Sequence, residues 1–492
     1  MKTLTLALLA AMTAKPGGAQ VPLTLDTSFR CTRFLNYGLH SVLPLTDGTV
    51  LASGFGVSID NCCALPPHSF FRLYANGGID ETWSTNLGYG PILASEDYYY
   101  LTINGFPARY FRTTGAIDYS FLPTTENYPH PGLVTFNGGN VYIQADGKVL
   151  CTGDHHVAEQ WGINAPGWYS LLRVDTNGIL DSTYQWRKTD GVIWTIQPTA
   201  QGRFLLSGVY NTYEGLPEGR ILRIWPDGSP DSSFHTDIIK GYAHCLVEQP
   251  NGRILAGGQF VFPNDPDTLH LIRLMPDGTL DTTFNNHTEY KGPLTSFGDF
   301  GFSVNTLLPL DDGRIMVGGG FTNIAGQLRR GIALLDSTGH LLNTALNGQG
   351  CGLWHNVNST HLYSGISSLR KAPDGSIFLT GFFKGFDDGT VSDTSMTFIA
   401  KLHGLSVGIH EEVRPVWEVR VWPNPGNDLL HIEAGVMGRA EVRVMDGSGR
   451  VLLERSNSSG TFQLNSTSLV RGIYLVEVSS DKGRRTVKWA KQ

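Results

Sequence analysis

The chain has 492 residues, which is long enough for more than one domain and a large buried core. Charged residues make up 16% of it and 59 residues are glycine, a composition that indicates a turn-rich all-β protein. The formal net charge of −7 argues against binding to the phosphate backbone of nucleic acids.

Residues 1–19 have the features of a secretory signal peptide. Lys2 supplies a positive charge, residues 4–12 form a short apolar run, and Gly17 and Ala19 are small residues suited to cleavage after Ala19. The alternative is a buried N-terminal strand or helix. No later segment approaches the roughly 20 apolar residues of a membrane span. We therefore expect an exported protein without a transmembrane segment.

Variants of one short motif recur along the chain. Such recurrence indicates small structural units that are copied and stacked, which favours a scaffold over an enzyme. The aspartate of the motif is expected to be a turn residue that bonds nearby backbone amides, not a catalytic acid. The copies are LDTSF at 25–29, IDETW at 79–83, IDYSF at 117–121, LDSTY at 180–184, PDSSF at 230–234, LDTTF at 280–284 and the weaker LLNTAL at 341–346.

A second motif lies between these copies and consists of an apolar strand, a turn such as Asp-Gly, and a second apolar strand. A third strand and the first motif follow, so each unit has four strands, A to D. Seven units of this kind predict a seven-bladed β-propeller. The alternative, a pair of β-sandwiches, is disfavoured by the even spacing of Asp181, Asp231 and Asp281. The second motif occupies 43–55, 91–105, 142–154, 196–208, 247–260, 308–321 and 370–383.

The ends of the repeat region predict how the ring closes. Residues 25–29 precede the first A strand, whereas the last C strand, at 397–402, has no good copy of the first motif after it. The simplest arrangement pairs residues 25–29 with the last blade as its outer strand. This pairing leaves no open sheet edge, and open edges promote aggregation.

The units resemble the delta-60 repeat, a bacterial β-propeller repeat family of unassigned activity. The resemblance is carried by GRILAGGQF at 252–260 and HLIRLMPDGTLDTTF at 270–284, and it covers residues 25–402. It implies a propeller at 20–403 and no catalytic residues, while the second unit departs most from the repeat.

Residues 404–417 read as a linker, and residues 418–492 as a separate domain of alternating strands. This segment resembles the type A C-terminal sorting domain of the bacterial type IX secretion system. The resemblance implies an immunoglobulin-like β-sandwich, the secretion machinery as partner, and a secreted or surface location reached through the periplasm. The alternative is an ordinary adhesive β-sandwich. The motif residues are Pro423, Asn424, Pro425, Asp446, Gly447, Gly472 and Tyr474.

Length variation falls on the B–C and D–A loops, which share one face of a propeller. Variable loops on a rigid scaffold are where binding residues usually lie, and exposed aromatic rings suit sugar rings. The alternative is that these rings only pack the loops together. The candidate ligand-binding residues are His155, His156, Trp161, Trp168 and Tyr213.

No cofactor or metal site is predicted. His155 and His156 are adjacent on a strand, so their side chains point to opposite sides of the sheet. Nucleophile-elbow, HExxH and phosphate-loop motifs are missing from the sequence. Acidic loop residues lack the spacing of a calcium loop and read as solvated side chains. They are Asp265, Asp267, Asp387, Asp388 and Asp393.

All six cysteines lie after the signal peptide, where disulfides are permitted. Cys151 and Cys245 lie in predicted strands and are expected to be buried thiols. The other four lie in loops near the ring closure and are predicted to form disulfides there, with Cys31 to Cys62 or Cys63 favoured. The alternative leaves Cys62 and Cys63 as a free pair and Cys351 as a loop thiol. The disulfide candidates are Cys31, Cys62, Cys63 and Cys351.

Together these features favour a monomeric, non-enzymatic propeller that binds an extracellular glycan or protein. The rival hypothesis is a secreted hydrolase or lyase with its site in the propeller mouth, and a third is a purely structural surface component. Convergent carboxylates with shifted pKa values would favour the enzyme, and an open aromatic surface would favour the binding protein.

Overall fold

The chain divides into two compact units, residues 1–405 and 406–492, and the division falls within the predicted linker. The coordinates are a computed structural model. It describes residues 23–34, 38–57, 68–85, 88–103, 105–121, 133–292, 303–343, 346–355, 362–403, 419–434, 440–446, 450–457, 460–480 and 483–492. Within these ranges no helix is long and apolar enough to cross a membrane.

The first unit is built of strands. In chain order they are β1 (Ser41–Pro44), β2 (Val50–Val57), β3 (His68–Leu73), β4 (Ile79–Thr85), β5 (Tyr89–Ala94), β6 (Tyr98–Ile103), β7 (Phe106–Phe111), β8 (Leu133–Ile143), β9 (Val149–Val157), β10 (Gly167–Val174), β11 (Val192–Pro198), β12 (Phe204–Val209), β13 (Thr212–Tyr213), β14 (Leu216–Pro217), β15 (Ile221–Ile224), β16 (Lys240–Glu248), β17 (Ile254–Val261), β18 (Leu269–Leu274), β19 (Tyr290–Lys291), β20 (Val304–Pro309), β21 (Ile315–Gly319), β22 (Asn323–Ile324), β23 (Gln327–Leu328), β24 (Ile332–Leu335), β25 (Gly350–Cys351), β26 (Trp354–His355), β27 (Leu362–Tyr363), β28 (Gly365–Lys371), β29 (Ile377–Asp387) and β30 (Ser392–Leu402).

These strands form seven main antiparallel sheets in chain order, beside three small ones made of two-residue strands. We call the main sheets the first to the seventh; their first long strands are β1, β5, β8, β11, β16, β20 and β28, and the short strand β25 also belongs to the seventh. Each main sheet contacts the next, and β1 of the first sheet contacts β28 and β29 of the seventh. We propose that the seven sheets are the seven blades of one closed propeller.

The first two strands of each sheet are joined by the tight turns that the sequence predicts. Between β1 and β2 the Leu45 amide donates to the Thr49 carbonyl at 2.9 Å, and the Asp47 carboxylate accepts from the Thr49 amide at 2.9 Å. Gly48 has a φ of 83°, a conformation that glycine adopts without the steric cost of a side chain. Gly313 repeats this conformation with a φ of 86° in the sixth sheet.

The predicted pairing of residues 25–29 with the last C strand is confirmed. Leu25 forms an antiparallel bridge with Leu402 of β30, and the Asp26 amide donates to the Lys401 carbonyl at 2.8 Å. In the fifth sheet the equivalent hydrogen bond runs from the Asp281 amide to the Arg273 carbonyl at 2.8 Å. There the bridging residues, Leu274 and Leu280, belong to the same repeat unit. The N-terminal copy of the motif therefore completes the last sheet.

The recurring aspartate neutralises a buried cation and caps a turn. In the fifth sheet, Asp281 Oδ2 accepts from Arg273 Nε at 2.7 Å, and Asp281 Oδ1 accepts from the Thr283 amide at 2.9 Å. The Arg273 guanidinium also lies 4.6 Å from the centroid of the Phe284 ring. Asp281 and Phe284 of the motif thus both contact the Arg273 guanidinium. Equivalent pairs are Arg72–Asp80, Arg109–Asp118, Arg173–Asp181, Arg223–Asp231 and Lys401–Asp26.

The same arginines fasten neighbouring sheets together. Arg109 Nη1 of the second sheet donates to the Thr176 carbonyl of the third at 2.9 Å, and Arg223 Nη1 of the fourth donates to the Pro276 carbonyl of the fifth at 2.7 Å. Arg273 Nη1 bonds to the Ser337 carbonyl of the sixth sheet at 2.7 Å. These contacts explain why the motif recurs in a stacked scaffold.

The sixth sheet replaces the ion pair with two leucines. Leu334 and Leu342 stand where Arg273 and Asp281 stand in the fifth sheet, and the Leu342 amide still donates to the Leu334 carbonyl at 2.8 Å. An apolar pair of similar size can substitute for a buried ion pair at little cost, because neither charge then has to be desolvated. The weak LLNTAL copy therefore preserves the backbone geometry of the motif.

Asp80→Asn is expected to lower the free energy of unfolding by about 2–3 kcal/mol, because it leaves the partly buried Arg72 guanidinium without its counter-charge. Glu81→Gln is the matched control, since Glu81 is 71% exposed and forms only a surface pair with Arg33; its effect should stay below about 0.5 kcal/mol. Urea denaturation measures both, and equal effects would contradict the assignment.

The same variant should respond to pH. Hydrogen bonds from Thr82 and Arg72 hold the pKa of Asp80 at about 2, against the opposing effect of burial. Because this folded pKa lies below the unfolded one, the stabilisation is present above about pH 4 and is lost as the pH falls toward 2. The stability difference between the parent and Asp80→Asn should therefore shrink on acidification.

The second unit is a pair of sheets around one core. One sheet has the order β31-β32-β35 and the other β34-β33-β36-β37, and Leu430, Val442, Val476 and Trp489 are buried between them. The strands are β31 (Val419–Trp422), β32 (Leu429–Ala434), β33 (Ala440–Met445), β34 (Val451–Asn457), β35 (Thr461–Asn465), β36 (Gly472–Ser480) and β37 (Gly483–Lys491).

Candidate functional site

The third sheet is longer than its neighbour at the end where the candidate aromatic residues lie. Its strands β8, β9 and β10 have 11, 9 and 8 residues, whereas β11, β12 and β15 of the fourth sheet have 7, 6 and 4. Both strand pairings continue to Val157 through irregular register. The side chains at this end of the third sheet, which we call the extension, are therefore held by paired strands that are longer than those of the fourth sheet.

One side of the extension presents three aromatic rings to solvent. Phe136 of β8 is 61% exposed and Trp168 of β10 is 48% exposed, while His156 of β9 is half-buried. The ring centroids of Phe136 and Trp168 lie 5.0 Å apart at an interplanar angle of 45°, and those of His156 and Trp168 lie 5.0 Å apart at 60°. We call Phe136, His156 and Trp168 the aromatic platform.

The opposite side of the extension is buried and holds the platform in place. His155 is fully buried, its Nδ1 lies 2.9 Å from Thr135 Oγ1, and its ring meets Phe106 edge-on. Burial lowers the pKa of His155 to about 4, so the imidazole is neutral at physiological pH. Its Nε2 has no hydrogen-bond partner in the described part of the chain. His155 is thus a support for the sheet and not a ligand contact.

Two polar side chains adjoin the platform. Asn137 of β8 is paired directly with Asp154 of β9, and the Asn137 amide hydrogen-bonds to the Asp154 carboxylate. Burial nevertheless raises the pKa of Asp154. Asp154 precedes His156 by two positions on β9, and Asn137 directly follows Phe136 on β8, where the register of both strands shifts. The surface therefore combines apolar ring faces with a carboxylate and an amide.

The remaining aromatic candidates lie elsewhere. Tyr213 is buried, and its hydroxyl donates to the Gly228 carbonyl at 2.7 Å, so it packs the fourth sheet as the alternative reading expected. Trp161 is half-buried against the core of the third and fourth sheets, and its backbone forms a bridge with Asn164. Of the five candidates, the structure brings only His156 and Trp168 together on an exposed surface. The sequence analysis missed Phe136, Asn137 and Asp154.

The acidic loop residues have mostly structural partners. The Asp388 carboxylate accepts a hydrogen bond from the Leu25 amide and so helps to hold residues 25–29 against the seventh sheet. Asp393 forms an ion pair with Arg30 at 2.8 Å. Asp387 accepts from the Gln349 amide at 3.1 Å. These three side chains therefore stabilise the seventh sheet.

Within the described residues, Asp265, Asp267 and His287 form a group that could hold a divalent cation, since their ligand atoms lie within 4.8 Å of one another. His287, which lies in a different loop from the two acids, was not anticipated. The imidazole nitrogens lie 3.6 Å from Asp265 Oδ2 and 3.5 Å from Asp267 Oδ2. Because this arrangement is also that of solvent-exposed ion pairs, we assign no metal to it.

The structure corrects part of the cysteine prediction. Cys351 is a free, fully buried thiol in the core of the seventh sheet, and burial raises its pKa, so its predicted place in a disulfide is wrong. Its strand β25 pairs with β29, which places the side chain inside the sheet and not in a loop. Cys151 and Cys245 are free thiols, as predicted, although Cys245 is only half-buried.

Cys31 is buried and its carbonyl accepts from the Thr397 amide at 2.9 Å. Cys62 and Cys63 lie outside the described residues, so a bridge from Cys31 to one of them stays a prediction. Peptide mapping without reduction should recover Cys31 linked to one of the two and Cys351 alkylated as a free thiol. Recovery of Cys31, Cys62 and Cys63 all as free thiols would contradict the bridge.

The sorting-motif residues meet the C-terminal strand in the second unit. The Pro423 carbonyl accepts from Trp489 Nε1 at 2.9 Å, Asn424 Nδ2 donates to the Lys488 carbonyl at 2.8 Å, and the Ala490 amide donates to Asn424 Oδ1 at 3.0 Å. Pro425 follows on the exposed side. The motif thus ties the start of the unit to its last strand.

The other motif residues are spread over the unit. Tyr474 is buried and its hydroxyl donates to the Val470 carbonyl at 2.7 Å, while Asp446 Oδ1 accepts from the Arg450 amide at 3.1 Å. Gly472 begins β36 and is exposed, and Gly447 lies outside the described residues. These residues shape turns and strand ends, and the Tyr474 ring lies 5.9 Å from the ring of Trp489, which bonds to the proline motif.

Comparison with protein families matches both units. Residues 202–234, 249–284 and 310–341 match a β-propeller domain of unknown function, DUF5122, and residues 420–492 match the secretion system C-terminal sorting domain. The delta-60 name remains a resemblance. No curated protein matches the chain.

The solved structures to which the chain is similar include two bacterial proteins. PorZ, a surface component of the type IX secretion system of Porphyromonas gingivalis, is 13% identical with a TM-score of 0.35, over 97% of this chain and 61% of that one. The extracellular domain of the two-component system BT4673 from B. thetaiotaomicron is 12% identical with a TM-score of 0.40, over 96% and 58%. The chain spans less than two thirds of either protein, and similarity at this level carries no argument about function.

The sorting domain indicates export by the type IX secretion system to the cell surface or beyond it. The chain is therefore a secreted or surface β-propeller protein with DUF5122 repeats and a C-terminal type IX sorting domain.

Proposed function

We propose that the propeller is a non-enzymatic binding protein that contacts its extracellular ligand through the aromatic platform. The observation that carries the proposal is the exposure of Phe136 and Trp168 side by side on an extended sheet. Large apolar side chains that remain exposed in a cluster mark interaction sites, because burying them on binding releases ordered water. Their neighbours Asp154 and Asn137 add hydrogen-bonding groups that can fix a ligand's orientation.

The recurring acids of the repeat support binding over catalysis. Each aspartate of the repeated motif is engaged by a cation and by a turn, and its pKa is lowered, so it is ionised and occupied at neutral pH. A general acid needs a raised pKa and access to substrate. These six carboxylates therefore belong to the scaffold and not to a catalytic site.

Trp168→Ala is expected to weaken ligand binding at least about tenfold, because hot spots of binding surfaces are dominated by exposed aromatic anchors. The ligand is first found by screening the purified full chain on glycan and protein arrays. Trp225→Ala is the matched control, since Trp225 is 41% exposed in the fourth sheet and stacks on Arg203. If both variants bind as the parent does, the platform is not the binding surface.

A further inference from the structure

We propose that the ligand of the aromatic platform is a neutral carbohydrate, with one sugar ring stacked on Trp168 and Phe136 and its hydroxyl groups bonded to Asp154 and Asn137. This inference rests on the proposed function and names the chemical class of its ligand.

The ring geometry suits a flat, partly apolar ligand. The rings of Phe136 and Trp168 contact each other at a centroid separation of 5.0 Å with their planes tilted by 45°, so they do not cover each other face to face. Both rings remain about half or more exposed, which leaves their faces available. A pyranose ring has a C–H face that packs on an aromatic ring and a polar rim that stays wet, the same division that tyrosine and tryptophan have at interfaces.

The platform is pre-ordered, which lowers the entropic cost of binding. Trp168 is paired with His156, and His156 with Val134, so strands and not loops carry the rings. The rings of His156 and Phe136 both contact the Trp168 ring, each at a centroid distance of 5.0 Å. Side chains held by neighbours lose little rotamer freedom when a ligand arrives.

The charge beside the rings selects among carbohydrates. The Asp154 carboxylate accepts hydrogen bonds from hydroxyl groups, and the Asn137 amide both donates and accepts them. A carboxylate repels phosphate, sulfate and uronate groups, and the whole chain carries a net charge of −7. Neutral sugars meet no such repulsion, so they are favoured over acidic glycans and over nucleic acids.

The size of the platform argues against a protein ligand. A stable protein interface covers about 800 Å² on each partner, and even a fully buried aromatic side chain contributes only about 150–250 Å². The area that three rings can bury, one of them already half-buried, is therefore smaller than the area of a stable protein interface. They are sufficient for one or two sugar units, whose binding needs less area.

The test uses the full chain and soluble polysaccharides. Affinity electrophoresis in gels containing β-glucan, xylan, mannan or galactan should retard the parent protein in at least one gel, and an alginate gel should not. Trp168→Ala and Phe136→Ala should each weaken the interaction about tenfold, and Asp154→Asn about threefold to tenfold. Trp225→Ala should bind as the parent does. Thermal melting of every variant verifies that the fold is intact.

The outcomes separate this inference from the proposed function. Retardation by none of the neutral polysaccharides, equal retardation of parent and Trp168→Ala, or retardation by alginate alone would overturn the carbohydrate inference. If Trp168→Ala then abolishes binding to a protein found by array screening, the binding function stands and only its carbohydrate ligand is wrong. If no glycan or protein ligand depends on Trp168 or Phe136, both proposals fail.

Discussion

Truncation after Leu405, where the first compact unit ends, is expected to abolish surface appearance and to leave a folded propeller in the periplasm. The sorting domain is the part that the type IX secretion system recognises. The propeller has its own hydrophobic cores, and its last sheet is completed by Leu25 and not by the second unit. Surface labelling of intact cells and immunoblotting of periplasmic extracts from a competent host measure the two pools. Normal surface appearance of the truncated chain would refute the export route.

A point variant refines this test without removing the domain. Asn424→Ala deletes the two hydrogen bonds that join the proline motif to Lys488 and Ala490, so it should reduce surface appearance while the propeller stays folded. Val470→Ala is the control, because Val470 is 77% exposed and its side chain makes little contact. A loss of surface appearance in the control alone would show that the proline motif is not the recognised part.

The architecture could be predicted from sequence because each repeat encodes its own local structure. Asp-Gly turns set the hairpins, and an aspartate paired with an arginine eight residues earlier sets the outer bridge, as Asp281 and Arg273 show. Copies of one unit make such local rules visible. The pairing of Leu25 with the last sheet could also be predicted, because the N-terminal copy of the motif precedes the first A strand and the last C strand has no copy after it.

The binding surface was only half predicted, because it depends on the length of strands and not on their pattern. His156 and Trp168 stood out in a variable loop region, but the structure shows that they lie on strands of an extended sheet. Phe136 precedes Trp168 by 32 residues in the chain and lies on β8, at a position where the register of that strand shifts. Sequence spacing does not reveal such a register shift. An aromatic residue near the start of an A strand, such as Phe136, could nevertheless have been included among the candidates for the binding surface.

Tyr213 and Cys351 were misplaced for a related reason. Both were assigned to loops, yet each lies in a two-residue strand that buries its side chain. The pairing of β25 with β29 joins distant residues, which propensity within the segment does not reveal, whereas Tyr213 pairs with nearby Leu216 in a short hairpin.

Removal of residues 20–30 is expected to lower the free energy of unfolding of the propeller by several kcal/mol. Leu25 is 3% exposed and Phe29 is 1% exposed, and the Phe29 ring packs edge-on against Phe378 at a centroid distance of 5.2 Å. Burial of each side chain contributes about 1.5–3 kcal/mol. Each backbone hydrogen bond to β30, such as Asp26 to Lys401, adds about 0.5–1.5 kcal/mol.

The deletion should also open the ring, because it exposes the edge of β30 while every other main sheet keeps its outer bridge. Leu25→Ala isolates the packing contribution and should cost about 2–4 kcal/mol, whereas Thr27→Ala, at an exposed position of the same segment, should change stability by less than about 0.5 kcal/mol. Urea denaturation measures the stability of each variant, and amide hydrogen exchange in β30 reports whether its edge becomes accessible. If the deletion unfolds at the same urea concentration as the parent and β30 stays protected, the segment does not close the ring.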